Sequence, residues 1–146
     1  MNNEELIIDI KYHGDVKPIE MMPNGDWVDL RAAEDVNMWE GEYRLISLGV
    51  SMKLPEGYEA HIVPRSSTFR HWGIIQANHM GVVDNSYCGN NDIWKFPAIA
   101  LRDTTIYKNE RICQFRIVKK QPTLKFNEVD KLTDEDRGGF GSSGRD

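Results

Sequence analysis

The stretch from Glu42 to Pro64, "EYRLISLGVSMKLPEGYEAHIVP", decides the fold class. Leu48, Val50, Met52 and Leu54 share one parity, and Tyr58, Ala60 and Ile62 follow on alternate positions after Pro55-Glu56-Gly57. A two-residue apolar repeat puts one face of an extended chain against a core, so the segment predicts strand, turn, strand. "DIWKFPAIALRD" (92–103) and "RICQFRIVKK" (111–120) repeat the pattern around "DTTIYKNE" (103–110), whose Lys-Asn-Glu suits a turn. Pro97 has no N–H to give a ladder, which predicts an edge or bulged position. Helical signals are confined to single turns near "STFRHWG" (67–73) and "DLRAAEDV" (29–36). The expectation is an all-β protein, its short strands covering their apolar faces as a sandwich or barrel.

The chain has 146 residues, a length that suits one domain. After "FNEVDKL" the composition changes to "TDEDRGGFGSSGRD" (133–146), glycine-rich, polar and almost without core residues. This predicts a domain over 1–130 and a flexible arm over 131–146, with Phe140 as the aromatic exception among glycines. Basic residues number 18 against 23 acidic, net −5, with no Lys/Arg block, which argues against nucleic-acid binding through a general phosphate-neutralising surface. No apolar run approaches a membrane span and no leader pattern is visible, so a cytoplasmic protein is expected, with no membrane partner. Cys88 and Cys113 have no CxxC spacing and read as unpaired thiols. His13, His61, His71 and His79 are scattered without metal-ligand spacing.

Polar clusters carry the chemistry. "DLRAAED" holds Asp29, "PRSS" holds Arg65, Ser66 and Ser67, "GVVDNSYCG" holds Asp84 and Tyr87, "RICQF" holds Arg111 and Gln114, and the glycine tail adds a fifth. An arginine fork beside hydroxyls suits phosphate oxygens, although Arg65 serves equally well in an ion pair with a carboxylate. Asp84 ends an apolar run and opens a turn. It is either a residue bonding its own turn, as the following Asn and Gly favour, or a carboxylate able to deprotonate a water. Tyr87 either packs or floors a sugar or base. No GxxxxGK[ST], GxGxxG or GxSxG pattern is present, which disfavours P-loop hydrolysis and acyl-enzyme chemistry.

In order and spacing these five clusters resemble the five motifs of the trimeric deoxyuridine triphosphatases, the dUTPases, over about Asp26 to Gly144. The resemblance implies a distorted jelly-roll β-barrel, a homotrimer with sites shared between subunits, and an arm that closes over the nucleotide. It further implies magnesium-assisted hydrolysis of dUTP to dUMP and pyrophosphate by in-line attack of water on the α-phosphorus, limiting uracil in DNA and supplying dUMP for dTMP synthesis. Asp84 matches the water-activating aspartate, and Tyr87 the tyrosine beneath deoxyribose. Asn78 and the backbone about Gly81 and Val83 match the uracil-reading hairpin. Arg65, Ser66 and Ser67 match the phosphate-binding second motif and Gln114 the phosphate-contacting glutamine of the fourth. Asp29 matches the aspartate near the metal's water shell. In the fifth motif Arg137 matches the phosphate-gripping arginine, Phe140 the uracil cover, and Gly141 and Ser142 the adjoining backbone and hydroxyl.

Three positions depart from the family pattern: Ser67 replaces a usual glycine, Cys88 a frequent arginine or glutamine, and only Gly138 and Gly139 separate Arg137 from Phe140. The shortened interval leaves Arg145 as an alternative to Arg137, and Ile93 or Trp94 as alternatives to Phe140. A dCTP deaminase of the same fold is a rival reading, weakened because no glutamate occupies the third cluster. A nucleotide-binding regulatory protein is the other.

Overall fold

The computed structural model describes residues 5–139. Its strands are β1 Asp9–Tyr12, β2 Val28–Arg31, β3 Val36–Met38, β4 Tyr43–Ser47, β5 Val50–Lys53, β6 Tyr58–Pro64, β7 Ile74–Gln76, β8 Gly81–Asp84, β9 Lys95–Ala100, β10 Thr104–Ile106 and β11 Arg111–Lys119. One short helix, α1 Thr68–Trp72, lies between β6 and β7. The strands pair antiparallel in the orders β1-β5, β10-β3, β2-β11-β6-β8 and β4-β9-β7, so the expected all-β, jelly-roll type of architecture is what the chain adopts.

The apolar parity of the 42–64 stretch is a buried one, although Ser51, between Val50 and Met52, is buried too and donates its hydroxyl to the Asp92 carbonyl at 2.8 Å. Leu48, Val50, Met52 and Leu54 are all buried, as are Ala60 and Ile62. The segment is three strands, because Gly49 breaks it with φ +66°. A Cβ there would lie 2.9 Å from both the Ala33 Cβ and a Val16 methyl, so only glycine fits. Trp94 and Phe96 from β9 and its approach, with Leu30, Ile46, Ile74, Ile106 and Ile112, complete a core to which most strands contribute. Trp94 stands edge-on to Phe115, ring centroids 5.4 Å apart.

Two expectations fail. Pro97 lies in β9, the central strand of its sheet, opposite Leu45 of β4. It is tolerated because the β7 ladder ends at the pair Gln76–Ala98, and the Pro97 carbonyl still accepts the Ala77 N–H at 2.8 Å. The missing donor falls where pairing stops. "DLRAAEDV" forms no helix: Val28–Arg31 is strand β2, and the chain turns before β3. Residues 121–139 are exposed and carry neither strand nor helix.

Candidate active site

Four of the five clusters converge on the sheet β2-β11-β6-β8. Cα pairing places Gln114 opposite both Asp29 and Val63, and Asp84 opposite Glu59. Because strand side chains alternate, Asp29, Gln114, Glu59, His61 and Asp84 share the face turned away from the core. The opposite face buries Leu30, Phe115, Ala60 and Ile62.

At one end of this face stands an arginine cluster. The Asp29 carboxylate receives Arg65 Nε at 3.3 Å on one oxygen and an Arg111 guanidinium nitrogen at 3.4 Å on the other. Arg65 also donates to the Arg111 carbonyl at 3.0 Å, and Gln114 Nε2 donates to the Pro64 carbonyl at 3.2 Å. The β-bulge between Arg111 and Cys113 takes Ile112 out of the ladder. Thr68 repairs the break: its buried hydroxyl donates to the Ile112 carbonyl and accepts the Arg65 N–H, each at 2.8 Å. Arg65 is thus fixed by backbone and side chain. Arg65, His71, Trp72, Asn109, Glu110 and Arg111 line an open cavity of about 270 Å³. Ser66 is exposed and Ser67 half-buried. Ser67 precedes α1 with φ −98°, a conformation open to any L-residue, so serine fits in place of glycine without strain.

At the other end lie the β7–β8 turn and the Asp84 turn. Asn78 is exposed in the former, where His79 takes φ 62° and donates its N–H to the Gln76 carbonyl. Gly81 is half-buried beside Ile62. Val83 packs its side chain on the core and pairs with Ala60 across the ladder. One Asp84 oxygen accepts the Ser86 N–H at 2.9 Å and the Ser86 hydroxyl at 2.5 Å; the other is in contact with the Lys120 ammonium. Lys120, then the Ser86 hydroxyl and N–H, hold this carboxyl well below the usual carboxylate range. The half-exposed Tyr87 ring is steadied by a 3.2 Å bond from its hydroxyl to the Ile93 carbonyl.

Trp94 cannot cover a base. It is 1% exposed, turned into the core, and leaves only Ile93 of that pair near the surface. Arg137 lies in the exposed stretch and makes no hydrogen bond or ion pair with the other candidates among the described residues. Phe140, Gly141, Ser142 and Arg145 lie outside the described residues. Sequence reasoning missed Thr68 and Lys120. Lys120 has the strand parity of Gln114, which would have put it on the outer face; Thr68 had no signal beyond its place after "PRSS". Among the described residues no group of three or more His, Cys, Asp or Glu is placed to hold a metal.

Guanidinium groups held on an outer sheet face of an all-β protein are suited to meeting phosphate oxygens. The dUTPase family model matches residues 27–144. The chain is 59% identical over 138 residues to the SPbeta prophage-derived deoxyuridine 5'-triphosphate nucleotidohydrolase of Bacillus subtilis (strain 168), covering 94% of this chain and 97% of that one. Among solved structures, a Staphylococcus bacteriophage 80alpha dUTPase with dUpNHpp superposes with TM-score 0.76 at 22% identity, covering 94% of this chain and 98% of that chain. A dUTPase from phage phi11 of S. aureus, described with a structural Mg(II) ion, gives TM-score 0.74 at 15% identity, covering 86% and 98%. The chain belongs to the dUTPase family of deoxyuridine triphosphate hydrolases.

Proposed function

We propose that the protein hydrolyses dUTP to dUMP and pyrophosphate, with Asp84 activating the water that attacks the α-phosphorus. The hydrolysis of dUTP is supported by the family model and by the 59% identity to a named deoxyuridine 5'-triphosphate nucleotidohydrolase. The product would supply dUMP for dTMP synthesis and keep uracil out of DNA. The uracil edge would pair with the backbone from Asn78 to Val83, which a tight hairpin can offer while leaving no room for a 5-methyl group. Tyr87 would lie beneath the sugar. Arg65, Ser66, Ser67 and Gln114 would meet the phosphates, where fixed donors stabilise charge developing in the transition state.

The observation that carries this reading is the placement of both halves on one outer sheet face, at its opposite ends. Asp84 pairs with Glu59, and Arg65 lies six residues further along the β6 path. At about 3.3 Å per residue the two stand roughly 20 Å apart along the sheet. One nucleotide held by Asp84 would meet Arg65 of the same chain only at the full reach of both side chains and the triphosphate. The separation favours a site completed by other copies, as in a homotrimer, with residues 137–145 closing it.

The acidic groups fit magnesium only at one remove. Both Asp29 oxygens already face guanidinium groups, so Asp29 would accept hydrogen bonds from metal-bound water and not ligate the ion itself. Magnesium, when bound, would neutralise and tie together the triphosphate. The test is Asp84→Asn, assayed by pyrophosphate release and by binding of a non-hydrolysable dUTP analogue. Binding persists and turnover falls at least about 10²-fold, the scale of a lost general base. Turnover near wild type removes Asp84 from the mechanism, and ammonia released from dCTP without pyrophosphate from dUTP would replace the whole reading by deamination.

A further inference from the structure

Asp84 is not a bare carboxylate. Its partner across the ladder, Glu59, is taken up by His61, whose Nε2 lies 2.5 Å from the Glu59 carboxylate. The residue opposite His61 on β11, Arg116, turns away to Asp26 at 3.0 Å. The cation that meets Asp84 comes from two strands away. Lys120 follows the last residue of β11, and its N–H donates to the Gly57 carbonyl at 2.9 Å, so its backbone is tied to the sheet. From there the side chain reaches over the β6 end of the sheet and contacts both Asp84 and the Asn85 side-chain carbonyl.

We propose that Lys120 is a positioning residue for the hydrolysis, aiming the Asp84 carboxylate from the side opposite Ser86. This rests on Asp84 being the base. Ser86 fixes one carboxylate oxygen and Lys120 the other, so the plane of the group is set from both sides, with about one lone-pair site left over for a water, on the oxygen that meets Lys120. The same contact favours the ionised form, the form a base must have before it takes a proton. Asp84 therefore stays active to lower pH than a free carboxylate would. Removing Lys120 lets its pKa rise toward the ordinary value, and the acid limb of the rate profile moves up in pH. The pair is partly exposed, so its influence should fade as salt screens it.

The experiment compares wild type, K120Q, K120R and D84N, measuring kcat/KM for dUTP against pH by pyrophosphate release, at about 0.1 M and 1 M salt. K120Q is expected to lose activity on the acid side roughly one pH unit above wild type, the lower end of what an adjacent opposite charge does to a carboxylate. K120R restores the wild-type limb, and high salt narrows the gap between wild type and K120Q. Because Lys120 is held by its backbone and its side chain is partly exposed, K120Q should keep the wild-type assembly state and Tm, which separates aiming from folding. An acid limb in K120Q that coincides with wild type, while D84N is inactive, overturns the role of Lys120 alone. An active D84N overturns the base and Lys120 together.

Discussion

Replacing Thr68 by valine keeps the shape of the side chain and deletes one oxygen, which makes it a sharp probe of how Arg65 is held. Thr68 is fully buried, and its hydroxyl joins the Arg65 N–H to the Ile112 carbonyl, both at 2.8 Å. Valine strands a donor and an acceptor together. A buried group left without a partner costs about 1–3 kcal/mol. Arg65 is only half-buried, so the loss at its N–H falls at the lower end and the sum for the pair is about 2–4 kcal/mol. Thr68→Ser keeps the hydroxyl and loses one methyl from the core, about 1 kcal/mol. Urea unfolding followed by tryptophan fluorescence measures the difference, at one fixed chain concentration because any assembly would make stability depend on concentration. T68V should also raise KM for dUTP, since Arg65 loses a backbone anchor, while T68S should not. If T68V proves as stable as T68S, the hydroxyl is not the repair of the β11 bulge and Arg65 is fixed by something else.

Burial, then the Asp29 charge, pushes the Cys113 thiol well above its ordinary range, with Arg65 opposing only in part. At pH 8 a thiol reagent should leave Cys113 unmodified in the native protein and label it after unfolding; labelling of both cysteines in the native state would contradict its burial. Trp94→Phe should lower stability by about 1–3 kcal/mol, for lost ring volume against Phe115, offset in part by removing an indole N–H that finds no partner among the described residues. It should leave KM for dUTP within about twofold; a tenfold rise in KM with unchanged stability would return Trp94 to the uracil.

The fold was legible where burial obeys a simple period. Leu48 to Leu54 and Ala60 to Ile62 face one core, and alternation reports that directly. Gly49 was not legible as a breaker, since its constraint is a contact with Ala33 and Val16 that no local pattern reveals. Pro97 misled for a related reason: the rule about missing donors is local, whereas the end of the β7 ladder is a property of the pairing. Trp94 looked available beside a polar loop, yet its bulk is worth more in the core than at the surface. Asp29 and Arg65 were both singled out, but the ion pair between them depends on β2 and β6 flanking β11, which the order of the sequence does not state.

The turn reading and the base reading of Asp84 are not alternatives. The two bonds from Ser86 are those of an aspartate that closes its own turn, and they fall on a single oxygen. An ionised carboxylate offers about four lone-pair sites, so the turn leaves acceptor capacity unused. A base free to rotate would spend part of its time facing the wrong way, and each loss of alignment counts against the rate as surely as a loss of basicity. For the base proposed above, the turn would contribute orientation at the moment of proton transfer. Its cost is basicity, because every donor that steadies the carboxylate also makes it a weaker proton acceptor. A site built this way needs the phosphate charge to be met elsewhere, by groups that do not touch the base. The arginine cluster at the far end of the same sheet has that character: brought against the hairpin of a neighbouring copy, it would supply positive charge to the phosphates while the contacts of Asp84 itself stay those with Ser86 and Lys120.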